Sequence, residues 1–227
     1  MNERKTGYLA ILLIVATSFW VGLTIYLQVN QPVAQTLAEK TRQIVGGFRL
    51  FILNYINASI ITLGCTALFA GFYVLCRKAN PLWSVVALIF VPIYGAANLF
   101  AYLSQVFIVP RLIALSLAPA TESLALFTLA QVIHEWPGSA VQFINGMAYA
   151  VLGIPSIIYG MIFWHKPNGP KFGSAMLVFS GVVSFLALAG IGLQSPGLMS
   201  LTLVSGFLFL VALIGLSAYF LRSHQLD

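Results

Sequence analysis

The side chains able to do chemistry here are few, and most lie inside long apolar runs. The stretch from Trp83 to Arg111 carries Tyr94, Asn98, Tyr102 and Gln105 at steps of four, four and three residues. That spacing puts all four on one helical face. An amide without a partner in hydrocarbon is costly, so this face must look at other helices or into a cavity. Asn54 and Asn57 open an earlier apolar run, and Gln142, Asn145 and Tyr149 share one face of a later one. Arg49, Arg111, His134 and Glu135 fall at the same ends of these runs. The candidate ligand-binding set is therefore Asn54, Asn57, Asn98, Tyr102, Gln105, Arg111, His134, Glu135, Gln142 and Asn145. These groups could hydrogen-bond a lipid headgroup or a lipophilic small molecule. Their competing use is fastening helix to helix, worth about 1 kcal/mol per contact.

His134-Glu135 could act as a base with its partner, or as half of a metal site. The second histidine that a zinc-protease motif needs four residues on is absent. Ordinary solvated residues at a membrane surface are the favoured reading of this pair. His165 and His224 fall on the opposite side, so three histidines do not converge on one metal, and no pair of axial haem ligands is available. No lysine lies within an apolar run to form a Schiff base. No carboxylate lies there to relay protons or bind sodium, which argues against a coupled transporter. Gly-x-Ser-x-Gly, P-loop and dinucleotide signatures are missing. No catalytic residue, metal or cofactor is expected from these residues, and an enzyme is the less favoured class.

The elements that must position these groups are membrane spans. Hydrophobic residues make up 60 % of the 227 and charged residues 7 %, with a mean hydropathy of +0.96. Soluble domains carry about a quarter charged residues. Uncharged runs of roughly 20 apolar residues recur, as membrane-spanning helices require. Six spans are predicted, near 8–29, 50–76, 82–109, 139–164, 173–193 and 198–221, forming one all-α integral membrane domain over 1–227. The first is read as a retained span, because it exceeds a signal-peptide core of about 7–15 residues. Pro92 and Gly95 predict a kink in the third, and Pro110-Arg111 is expected to close it. Interfacial segments are expected at 31–49 and 112–138, the second carrying a helix from Glu122 to Trp136. Cys65 and Cys76 share one span about 16 Å apart, too far for a disulfide. Glycines such as Gly181 and Gly206 read as helix-packing positions.

Arg4, Lys5, Arg77, Lys78, Lys166, Lys171 and Arg222 fall on one side of this topology, and Lys40, Arg42, Arg49 and Arg111 on the other. The positive-inside rule then puts both termini in the cytoplasm and both long loops outside. No dense Lys/Arg cluster suits a nucleic acid. The net charge of +6 is instead spread over the loops. The chain also matches itself at an offset of 88 residues. Gln43-Ile44-Val45 meets Gln131-Val132-Ile133, and Asn54-Tyr55-Ile56-Asn57 meets Gln142-Phe143-Ile144-Asn145. That predicts hairpin repeats, two with an interfacial helix between their spans and a third without.

The span count, the turns and the run from His134-Glu135-Trp136-Pro137 through Trp164 resemble uncharacterised bacterial multi-pass membrane proteins grouped as domains of unknown function. The resemblance implies a bacterial-type inner membrane and no particular activity. Mitochondrial carriers share the hairpin style, but their Pro-x-Asp/Glu-x-x-Lys/Arg signature is absent. The expected function is non-enzymatic binding of a lipid, a lipophilic small molecule or a partner subunit. The alternatives are an uncoupled small-molecule transporter or channel, and a lipid-modifying enzyme of the outer leaflet using His134 and Glu135.

Overall fold

The long apolar runs fold as helices, because hydrocarbon offers backbone groups no partner but each other. The structure, a computed structural model, describes residues 2–31 and 33–222. His224 lies outside the described residues, and so does the chain on either end of them. Among the described residues there are helices and turns but no strand. In chain order these are α1 (Glu3–Asn30), α2 (Leu37–Gly46), α3 (Phe48–Cys76), α4 (Pro81–Phe107), α5 (Val109–Leu115), α6 (Glu122–Val132), α7 (Ala140–His165), α8 (Lys171–Gly192), α9 (Pro196–Met199) and α10 (Leu201–Arg222). Six are long and apolar enough to cross a membrane. The protein is thus a multi-pass α-helical membrane protein, with α2 and α6 standing where the two long interrupted loops were read. Cys65 and Cys76 are both buried free thiols.

Three boundaries differ from expectation, each for a physical reason. Helix α1 begins at Glu3, not Tyr8. The polar start is therefore helical, and Glu3, which the sequence left outside the first span, sits in its opening turn. Pro110-Arg111 does not close the third span. The helix breaks at Ile108 and resumes, with Pro110 in the first turn of α5, where its missing N–H is no loss. Helix α6 stops at Val132, short of Trp136. Ile133 is extended (φ −62, ψ 116), and Pro137 disfavours helix in the residue before it. His134 and Glu135 therefore lie on a turn.

The chain divides into two compact units, with α1, α3, α4 and α7 each contributing to both. The first takes in the described residues of 1–15, 62–97 and 146–227. Here Phe69, Phe72, Tyr159, Phe163 and Phe220 interlock edge to face, with ring centroids as close as 5.1 Å. The Tyr159 hydroxyl donates to the Ser84 carbonyl at 3.0 Å. Ser180 on α8 and Ser205 on α10 donate to each other's carbonyl oxygens at 3.0 Å, and Ser184 joins at 2.7 Å. Lys166 pairs with Glu3 at 2.8 Å. The second unit, 16–61 and 98–145, has its apolar core in Ile44, Phe51, Tyr55, Tyr102, Val109, Leu129 and Ile133.

Helices α7 and α8 touch backbone to backbone. A methyl on Gly181 would come within 2.6 Å of the Gly153 carbonyl oxygen, and one on Gly153 within 2.8 Å of the Gly181 oxygen. Gly206 differs from the packing role read for it, since nothing lies within 4 Å of a methyl there. Gly181→Ala is accordingly expected to destabilise the fold by about 1–3 kcal/mol through overpacking. Gly206→Ala should leave thermal unfolding in detergent unchanged or slightly improved.

Candidate functional site

The second unit holds all ten candidate residues, and its chemistry centres on the turn after α6. When a helix ends, its last carbonyls and the next N–H groups lose their partners. Gln105, buried on α4, supplies them from its side chain. Its Nε2 donates to the Val132 carbonyl at 2.8 Å, and its Oε1 accepts from the His134 N–H at 3.0 Å. The same nitrogen lies 3.1 Å from the Ala101 carbonyl and 2.9 Å from Ser104 Oγ. The amide thereby fixes the backbone of the turn to a membrane-spanning helix.

With its backbone held, the His134 imidazole packs against two phenol rings. Tyr55 of α3 meets it at 5.8 Å and 70°, and Tyr102 of α4 at 5.9 Å and 57°. The tyrosines are 6.0 Å apart. Glu135, next in the chain, pairs with Lys40 of α2 and accepts a hydrogen bond from the Tyr55 hydroxyl at 3.3 Å. Both ring nitrogens of His134 are buried with no protein partner. Burial pushes the imidazole down from 6.5 to about 4; Glu135 draws it back up and Lys40 adds to the fall. At neutral pH the ring is uncharged, with one nitrogen a donor and the other an acceptor.

Two more polar atoms in this unit are buried without a partner, Trp20 Nε1 and Asn145 Oδ1. Trp20 packs against the same apolar core as Tyr55 and Tyr102.

The structure thus brings Tyr102, Gln105, His134 and Glu135 together, and it divides the other candidates among different tasks. Asn57 donates to the Ala16 carbonyl of α1 at 3.0 Å, and Asn54 accepts from Thr24 at 3.4 Å, so both fasten α3 to α1. Gln142 turns back to accept from the Gly138 N–H at 3.1 Å, while its own N–H donates to Ser139 Oγ at 3.0 Å. That is helix capping at the start of α7. Gly138 has φ +75, a left-handed turn that glycine takes without strain. Asn98 is buried on α4, and Arg111 is exposed on α5. Sequence reasoning missed Tyr55, Lys40 and Trp20. Tyr55 reads as one more apolar residue in its run, and the Lys40–Glu135 pair spans 95 residues of chain.

Two predictions follow from this geometry. Gln105→Leu leaves the Val132 carbonyl and the His134 N–H without their buried partner, at about 1–3 kcal/mol for each unsatisfied group. Faster amide exchange confined at first to residues 132–139 is the expected signature. The second concerns pH. A histidine whose folded pKa lies below its unfolded one stabilises the fold fully above the unfolded value, and that contribution is lost as pH falls through the folded value. Stability should therefore drop between about pH 6.5 and pH 4, and His134→Gln should flatten this dependence in denaturation measured across that range.

No curated protein and no solved structure matches the chain. A family profile does, over residues 6–222, which takes in nearly all of the first span, the other five and the turn at His134. The chain belongs to the family described as a domain of unknown function, DUF4386.

Proposed function

We propose that the protein is a non-enzymatic membrane receptor for a lipid or lipophilic small molecule, bound in the unit of residues 16–61 and 98–145 through the His134 imidazole. The observation that carries this reading is the pair of ring nitrogens, both buried and neither bonded to protein. Buried polar atoms of native proteins are nearly always hydrogen-bonded, and leaving one unmet costs about 1–3 kcal/mol. A molecule with a hydroxyl or carbonyl group would satisfy them, while the aromatic walls of Tyr55 and Tyr102 accept its apolar body. Asn145 and Trp20 offer an acceptor and a donor in the same unit.

Catalysis fits the histidine less well. A general base works best with a pKa near the working pH, and an imidazole titrating at about 4 is a weak base at pH 7. Its uncharged state suits recognition of an uncharged polar group. Charge distribution supports placing the protein in a bacterial-type inner membrane, with the termini and the α3–α4 and α7–α8 turns cytoplasmic. The site then belongs to the outer half of the bundle.

Native mass spectrometry of the protein extracted in mild detergent tests the reading. The wild type should retain a small molecule of defined mass. His134→Phe should lower its occupancy roughly tenfold or more, given about 1–3 kcal/mol for the lost hydrogen bonds. Asn57→Ala, at a helix-fastening residue, should keep the molecule bound. Retention of the same mass by His134→Phe, or a wild type that emerges only with a second polypeptide and no small molecule, would defeat the proposal.

A further inference from the structure

The unit of residues 1–15, 62–97 and 146–227 carries a second feature that the His134 site does not use. A groove of ≈ 440 Å³ lies between the start of α8 and the end of α10. Its sides come from Phe172, Ala218 and Tyr219, and its polar end from Asn168, Lys171 and Arg222. The floor is set by a close helix crossing. A methyl on Gly173 would lie 2.9 Å from the Leu216 nitrogen, and one on Gly215 would lie 2.9 Å from the Gly173 Cα. Two side-chain-free positions face each other there, and the depth of the groove follows from them.

Among the described residues no carboxylate answers the charges at this groove. Among the described residues the ion pairs are Lys40–Glu135 and Lys166–Glu3, so neither Lys171 nor Arg222 faces a carboxylate. The Lys171 ammonium bonds the Trp164 carbonyl and sits 5.6 Å over the Trp164 ring, which holds it in place without neutralising it. Helix α8 starts directly after Pro170 with no side-chain cap, so the positive end of its dipole adds to the same field. A larger groove of ≈ 570 Å³, lined by Trp83, Ile158, Met161 and Lys166, lacks this feature. Its lysine is already bound by Glu3, which outweighs the effect of burial and holds the ammonium charged.

We propose that the α8–α10 groove is a binding site for an anionic phospholipid, with the phosphate between Lys171 and Arg222 and the first part of an acyl chain along Phe172, Gly173 and Ala218. Charge complementarity selects the headgroup, since basic pockets between membrane helices suit anionic lipids. The apolar sides select a lipid over a free anion. Lys171 and Arg222 lie at the ends of adjacent helices, at the level where snorkelling basic residues meet phosphates.

The test uses the full chain, delipidated in detergent, titrated with dioleoyl-phosphatidylglycerol or dioleoyl-phosphatidylcholine, and read by native mass spectrometry. The anionic lipid should be retained in preference to the zwitterionic one. A double variant, Lys171→Gln with Arg222→Gln, should lower that retention roughly thirtyfold. Ala218→Trp keeps both charges but fills the groove from an exposed position, and it should abolish the preference as well. Equal retention of the two lipids by the wild type would overturn the site, as would wild-type retention in the double variant. Undiminished preference in Ala218→Trp would mean that charge acts without the groove, and displacement of the lipid by millimolar inorganic phosphate would mean that the acyl chain contributes nothing. Either result also overturns the proposal. His134→Phe serves as the separate control, because it should leave this preference intact whatever binds at the other site.

Discussion

The Gln105 side chain is the contact on which the candidate site depends. A helix that stops inside a membrane protein exposes backbone groups that have neither water nor a further turn to bond them. One amide has both an acceptor and a donor, and here it meets one orphan of each kind, the His134 N–H and the Val132 carbonyl. With that clamp in place the chain can leave the helix at Ile133 and aim an imidazole between two tyrosines. Without it, the turn keeps the Trp136 N–H bond to the Ile133 carbonyl and the Lys40–Glu135 pair, but it loses its direct tie to α4 and leaves two backbone groups unmet beside the ring. The expensive part of the arrangement is therefore the buried ring, and the amide makes it structurally possible.

Polar groups in the rest of the chain show how unusual that ring is. Asn57 reaches a carbonyl of α1, Tyr159 reaches the carbonyl of Ser84, and Ser180 and Ser205 exchange hydrogen bonds across α8 and α10. Each of these bonds replaces water with protein, which is how membrane helices are commonly held together. Evenly satisfied groups of this kind need no ligand. The His134 nitrogens, Trp20 Nε1 and Asn145 Oδ1 depart from the pattern within one unit. Ser84 Oγ and Ser174 Oγ of the other unit share that state, but each is a single hydroxyl, whereas the His134 ring leaves two nitrogens unmet at once. Recognition of a polar molecule supplies a local reason.

The membrane architecture was legible because its cause is linear: an uncharged run of sufficient length must become a helix in lipid, whatever surrounds it. All six spans follow from that reasoning, whereas α2, with Glu39, Lys40 and Arg42, rests on an amphipathic pattern and α6 on an apolar stretch interrupted on both sides. Their ends were less legible where a local signal competed with hydropathy. Thr36-Leu37-Ala38-Glu39 is a capping box that starts α2, and Ser139 with Gln142 caps α7. Reading Gln142 as a ligand contact overlooked a spacing that sequence alone displays. Pro110 was misread for the opposite reason, since a proline ends one helix or begins the next according to whether its missing N–H is needed. The site was only half visible. Gln105 and His134-Glu135 could be singled out by residue type, but Tyr55 and Lys40 join them through the fold alone, from α3 and α2.

The acidic residues close the argument about charge. Glu135 is held by Lys40, and Glu3 by Lys166. Glu39 accepts from the Thr36 and Gln35 N–H groups at the start of α2, and Glu122 lies in the first turn of α6, where a negative charge favours the helix. Every described carboxylate is thus committed to an ion pair or to a helix start. The chain carries 11 basic residues against five acidic ones, so most of its cations must find their counter-charge outside it. In water, small ions would suffice. At a membrane surface the nearest fixed anions are lipid phosphates, and a cation held beside an apolar groove can distinguish one lipid from another where a freely solvated lysine cannot.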